Sequence, residues 1–273
     1  MTQAVRDIDD RSQNRYRTIP VEGVNHPTFN ETTITKTRYT RKIGANMKPA
    51  TSRFLPFALF MAFIGLDELI RTLMTHGFLK LQPTDLYYLY PVKTLAVGGL
   101  LYSLRKRYTE LNFKELLIIP TTLIISCVGL VVFALWIRME WTIGSSATPQ
   151  GFNPMLLPEG AIRYVMIFFR IAGAVLVVPL MEELFWRSFL IRYITDTDFE
   201  KVPIGTFTWG SFLLTVVLFG AEHNYIYAGI MAGIVYNLIL YKTRSLAQCV
   251  LAHAVTNLAL AVYVVSTGKW QFW

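Results

Sequence analysis

The sequence predicts an all-α, polytopic transmembrane bundle of about seven to eight helices. Two observations carry that prediction. From Phe54 onward seven apolar segments recur, close to the roughly 20 residues that cross a hydrocarbon core. Within them polarity does not alternate at every second residue, as the strands of a membrane β-barrel require. Composition agrees, since 53% of the 273 residues are hydrophobic and only 16% are charged. An ordinary soluble domain of this size is less apolar.

The first segment, 54–75, is apolar until Asp67, Glu68 and Arg71, whose i,i+3 and i,i+4 spacings predict structural pairs on one face. The second, 86–104, holds Lys93 and is closed by Arg105, Lys106 and Arg107. The third, 114–136, carries its charges only at its start. The fourth, 161–181 with a continuation to about 194, contains Arg170 and runs into Glu182, Glu183 and Arg187. Lys93 and Arg170 are expected to pair or to snorkel toward an interface. The fifth, 206–223, ends on Glu222 and His223; the sixth, 226–241, precedes Lys242 and Arg244; the seventh, 246–266, bears Cys249, His253 and Asn257.

Charge placement sets the expected orientation. The chain has 26 Lys or Arg against 18 Asp or Glu, a net +8. These cations flank the apolar runs and form no stripe, so nucleic acid is not an expected partner. Placing residues 1–53, Arg105–Arg107 and Lys242–Arg244 on the cytoplasmic side gives seven spans with the N-terminus inside. The loop 137–160 is then external, and Trp270, Phe272 and Trp273 are expected to anchor the C-terminus at the outer interface. A multi-pass integral membrane protein follows. No internal repeat supports an inverted-repeat transporter. Cys127 and Cys249 make no disulfide framework or metal spacing.

Residues 1–53 are a different material. They hold ten Lys or Arg and five Asp or Glu without helical periodicity. They predict a mostly disordered basic tail, with 54–273 as the transmembrane domain. No apolar core follows the first charges, so the tail does not read as a secretory signal. A start at Met47 would leave a short basic leader, which makes the tail either a regulatory arm or an upstream start-site assignment.

Carboxylates at membrane depth cost roughly 2.5–3.5 kcal/mol each on insertion scales and are retained mainly for function. Glu182 and Glu183 are helical neighbours about 100° apart, so they address different directions. Glu183 and Arg187 are spaced i,i+4 and can pair, which leaves Glu182 to face a cavity as a general base. His223 can hold the same water. His253 and Asn257 share a face at i,i+4 and can donate to a developing oxyanion. Taken singly, each histidine is more simply a packed core residue, and Glu183–Arg187 is equally a structural ion pair. Glu222 reads more naturally as an interface residue than as a base.

Three spacings on successive helices now stand together: Glu182-Glu183-x-x-x-Arg187, Phe219-x-x-x-His223 and His253-x-x-x-Asn257. They resemble the CAAX-protease and bacteriocin-processing family of intramembrane proteases, over residues 160–265. Tyr90-Pro91-Val92-Lys93-Thr94 is similar to the bacterial, exosortase-associated branch. The resemblance implies an endopeptidase in which Glu182 and His223 activate water, while His253 and Asn257 stabilise the oxyanion. It implies a membrane-associated peptide or protein as substrate and the lipid bilayer as surroundings. Zinc is the candidate cofactor, with Glu182, His223 and His253 as candidate ligands, and a metal-free glutamate mechanism uses the same residues. Three rivals stay open. A cysteine mechanism would use Cys249 four residues before His253. A non-catalytic membrane-peptide binder, immunity or sorting factor needs only a groove. A small-molecule carrier would use a buried proton-relay glutamate.

Overall fold

The computed structural model describes residues 47–142 and 151–273; the remainder of the expected basic tail and part of the expected external loop lie outside the described residues. Met47–Trp273 form one compact unit. Seven helices and no strand occur among the described residues: α1 (Pro49–Thr75), α2 (Leu89–Leu104), α3 (Ile119–Trp136), α4 (Ala161–Thr195), α5 (Trp209–Ala221), α6 (Ile226–Thr243) and α7 (Leu246–Thr267). The architecture is the all-α helical bundle expected.

Four helices, α3, α4, α6 and α7, are long and apolar enough to cross a membrane. The other three of the seven expected spans, α1, α2 and α5, fall outside that length and composition. Helix α1 has the length, at 27 residues, but carries Asp67, Glu68 and Arg71. Helix α2 has 16 residues and α5 only 13. At 1.5 Å per residue α5 rises about 20 Å, short of a hydrocarbon core of about 30 Å. The starts also shift. Helix α1 begins at Pro49, inside the expected tail, because proline suits a first helical turn and Arg53 is already buried. Segments 83–88 and 113–117 are 3₁₀ turns leading into α2 and α3.

Local chemistry explains the boundaries. Thr208 and Ser245 cap α5 and α7, their side-chain oxygens accepting from the amides of Ser211 and Gln248. Gly268 ends α7 with φ 69°, a left-handed position that glycine takes without strain. Small residues bring helices close. A Cβ on Gly129 of α3 would stand 2.6 Å from the Ala252 carbonyl of α7, and Thr256 donates across that seam to the Gly129 carbonyl at 2.9 Å. Gly220 and Gly229 make the same approach between α5 and α6.

Leu123, Ile124, Val131 and Leu135 of α3, Leu213 and Val217 of α5, and Val262 of α7 face outward and are exposed. In water such a belt would be an aggregation surface; against lipid tails it is the expected exterior. The interior is more polar. Arg187 is the largest fully buried side chain, with Glu183, Gln248 and Asn237 also buried.

Polar contacts gather the basic end of the bundle. Arg53 of α1 holds Glu110 through Nε at 2.7 Å and Nη2 at 2.6 Å, and Ser188 of α4 donates to the same carboxylate. Arg107 reaches the Met47 carbonyl at 3.0 Å. Ser245 donates to Glu115, joining the α6–α7 turn to the start of α3. Burial pushes the Glu110 carboxyl up, but the hydrogen bonds from Arg53 and Ser188 outweigh it and hold the group below the usual glutamate range. A depressed folded value stabilises the protein above the unfolded pKa of about 4.3 and loses that contribution as pH falls below it. Thermal unfolding in detergent is therefore expected to lose stability below about pH 4.3 in wild type. Glu110→Gln should be less stable at neutral pH and show a flatter acid limb. Equal acid slopes in both proteins would remove this role from Glu110.

Candidate active site

Helix α4 is one continuous rod of 35 residues interrupted by two π-helical segments, Gly173–Val177 and Leu184–Leu190. π-Bulges inside α-helices are frequent at functional sites because they re-aim side chains. Between the two lies Val178–Glu183, which presents both glutamates in a buried setting.

Glu183 belongs to the scaffold. Its Oε1 accepts from Arg187 Nη1 at 3.2 Å and from His253 Nδ1 at 2.9 Å. Arg187 also donates through Nε to Asn237 Oδ1 at 3.1 Å, and Asn237 in turn donates to Thr215 at 3.0 Å. The guanidinium lies 4.4 Å from the Phe219 ring centroid. This chain of bonds joins α4, α5, α6 and α7. It also aims His253: with Nδ1–H given to Glu183, Nε2 points at Glu182 Oε2, 4.0 Å away. That gap is too long for a hydrogen bond and short enough for one bound atom to bridge. Tyr236 stacks on the His253 ring at 4.9 Å.

His223 follows the last turn of α5. Its Nδ1 donates to the Phe219 carbonyl at 2.7 Å, which leaves Nε2 free as an acceptor. The Trp136 and Phe219 rings flank it at 5.2 and 4.9 Å. Asn257 donates one amide hydrogen to the Ala174 carbonyl at 2.7 Å, inside the first π segment, and keeps the second.

Glu182, His223, His253 and Asn257 all line one cavity of about 250 Å³. The 222–225 turn between α5 and α6 folds into the bundle, with Tyr225 buried against Phe272. A short α5 ending inside the protein is what lets His223 meet His253. Polar backbone at such depth is tolerated where it lines a cavity.

Several expectations change. Glu222 is a cavity-wall residue and no mere interface group: Trp186 Nε1 donates to it at 3.1 Å, and Glu182, Glu222 and His223 present ligand atoms within 4.8 Å of one another. Glu222 thus joins Glu182 and His223 in a trio of groups able to hold a metal, with His253 Nε2 4.0 Å from Glu182 Oε2 on the same wall. The adjacency of Glu222 to His223 was the sequence signal. Cys249 is absent from the cavity wall, its sulfur turned 3.7 Å from the Tyr236 carbonyl. Among the described residues Lys93 and Arg170 form no ion pair, and both stack on aromatic rings. Phe272 is buried, and Phe272 and Trp273 line the cavity. Asp67 and Arg71 do pair, at 2.7 Å.

No curated protein and no solved structure matches the chain. One family model does, over residues 164–259, described as type II CAAX prenyl endopeptidase Rce1-like. The matched stretch runs from α4 through most of α7 and contains every residue of the three spacings that converge on the cavity. Over residues 164–259 the chain is therefore similar to the Rce1-like type II CAAX prenyl endopeptidases.

Proposed function

We propose that the chain is an intramembrane endopeptidase that hydrolyses a peptide bond of a membrane-associated substrate near one membrane face, with Glu182 as base. The observation that carries this reading is the convergence of Glu182, His223, His253 and Asn257 from three separate helices on one cavity wall. A non-catalytic peptide binder needs a groove but has no use for Glu182 Oε2, buried without a hydrogen-bond partner beside two imidazoles.

The chemistry follows from the donors and acceptors. A water between Glu182 and the bare His223 Nε2 gives one O–H to each acceptor. Glu182 takes the proton as the oxygen attacks the scissile carbonyl carbon. The resulting oxyanion accepts from the free amide hydrogen of Asn257 and from Nε2–H of His253, which the ring carries when it is an imidazolium, its positive charge flanked by Glu182 and Glu183. The C–N bond then breaks and the leaving nitrogen recovers the proton from Glu182. Glu222, fixed by Trp186, is within reach as a second proton donor.

The same wall fits a zinc ion. Glu182, Glu222 and His223 offer two carboxylates and one imidazole nitrogen, a donor set zinc accepts with an open position. Zinc held there would supply Lewis acidity toward the carbonyl oxygen. Arg105–Arg107, Lys242 and Arg244 flank the basic end described above, which makes that end the cytoplasmic one and a bacterial inner membrane the fitting location.

Proteolysis of an apolar, membrane-anchored peptide by reconstituted variants tests the assignment. Asn257→Ala is expected to lose about 10²–10³-fold at most, the cost of one oxyanion donor. Cys249→Ala should cleave within about twofold of wild type, since its sulfur faces away from the chamber. Loss of activity confined to Cys249→Ala would overturn the glutamate mechanism.

A further inference from the structure

The cavity has a second polar end that this chemistry leaves unused. Arg170 of α4 stands on its wall, with Ala174, Val178 and Glu182 following along the same stripe. Arg170 forms no hydrogen bond or ion pair with any described residue, and its Nε is buried without a partner. Its guanidinium lies 4.7 Å from the Tyr90 ring centroid, and Lys93 Nζ lies 4.7 Å from the same centroid. Two cations thus share one ring; Asp67 lines a small pocket together with Lys93, and no described acid is ion-paired with Arg170. Burying a cation without a counter-charge is costly, and a ring face offsets only part of that cost.

The backbone is built to aim Arg170 this way. In a regular α-helix residues 170 and 182 would point about 120° apart. The π segment Gly173–Val177 lies between them and absorbs about one residue of twist, which returns both to one face. Gly173 also admits α2: a Cβ there would stand 2.8 Å from the Tyr90 hydroxyl and 2.7 Å from Thr94 Oγ1. The glycine therefore seats the ring on which Arg170 rests.

We propose that Arg170 anchors a carboxylate subsite: it receives a carboxylate of the bound peptide within about five residues of the scissile bond. Resting on the peptidase reading above, this adds the charge its substrate must carry. Arg170 precedes Glu182 by about 18 Å of helix, the length of about five extended residues. A planar guanidinium with free N–H groups matches a carboxylate in two parallel hydrogen bonds. The source is either a chain-terminal carboxylate or an Asp or Glu side chain. A lipid phosphate is the poorer fit, because Arg170 faces the chamber that holds Glu182.

Binding separates this proposal from catalysis. The probes are a fluorescent apolar heptapeptide with a free C-terminal carboxylate, its C-terminal amide, and the amide with one internal glutamate. Their affinities are measured on the full chain in nanodiscs of phosphatidylcholine, for wild type, Arg170→Gln and Arg170→Lys. The expected result is that a carboxylate-bearing peptide binds wild type about 10- to 100-fold more tightly than the plain amide. Arg170→Gln should erase that preference while leaving amide binding unchanged, which shows the bundle intact. Arg170→Lys should restore part of it. The free-acid and glutamate peptides tell the two sources apart. Equal affinity of all three peptides for wild type overturns the subsite. So does an Arg170→Gln loss that is the same for acid and amide, or competition only by phosphatidylglycerol. If the carboxylate preference holds but no peptide is cleaved, the peptidase reading fails and the subsite stands.

Discussion

Glu182→Gln is expected to lower peptide cleavage at least a hundredfold while the bundle stays folded and inserted. The substitution keeps the shape of the side chain and its hydrogen-bonding capacity and removes only the base. General base catalysis contributes about 10²–10⁴-fold. Glu182 Oε2 has no hydrogen-bond partner to lose, so little structural penalty accompanies the change. His223→Ala is expected to lose a similar factor, because both groups address one water. The double variant should then be scarcely worse than either single one, since residues that act as a unit are not additive. Turnover of a reconstituted membrane-anchored peptide, together with detergent-extracted yield and unfolding temperature, checks all three. Full activity in Glu182→Gln, or losses that multiply in the double variant, would remove Glu182 and His223 from a shared step.

The second large effect is on stability. Arg187→Ala should destabilise the bundle by about 3–5 kcal/mol, the range for removing one partner of a buried pair. The reason is specific to this site. Arg187 is 1% exposed and Glu183 is fully buried, so the remaining carboxylate would be left with only His253 as partner. Asn237 would lose its donor as well. Sharply reduced accumulation in the membrane and a lower unfolding temperature are expected. Glu183→Gln is the informative companion: it keeps an acceptor for Arg187 but weakens the hold on His253. It should accumulate better than Arg187→Ala yet cleave poorly. Normal accumulation and full activity of Arg187→Ala would show that the network is dispensable.

Glu183 thereby acquires a role that i,i+4 spacing alone does not reveal. Pairing with Arg187 is a local property of one helix, and four residues of separation are enough to predict it. Orientation of His253 is not local. The two residues are 70 positions apart, and only the packing of α7 against α4 brings Nδ1 to 2.9 Å from the carboxylate. Glu222 shows the same limit from the other side. Next to His223 at a helix end it reads as a boundary residue. Its use depends on α5 stopping after 13 residues, so that the helix end lies on the cavity wall.

The helical character of the chain and the placement of its apolar segments were legible because both are carried by runs of neighbouring residues. The three spacings were legible for the same reason, each lying within about one turn of a single helix. Tertiary structure alone decided which of those turns meet and how far each helix reaches. The π segment Gly173–Val177 rotates α4 by an amount no hydrophobic period announces, bringing Arg170 onto the stripe of Glu182. Gly129, Gly173 and Gly220 let backbones approach where any side chain would hold them apart. Twist and approach depend on partners distant in sequence, which is why the residue types of the site were readable in the chain and its geometry was not.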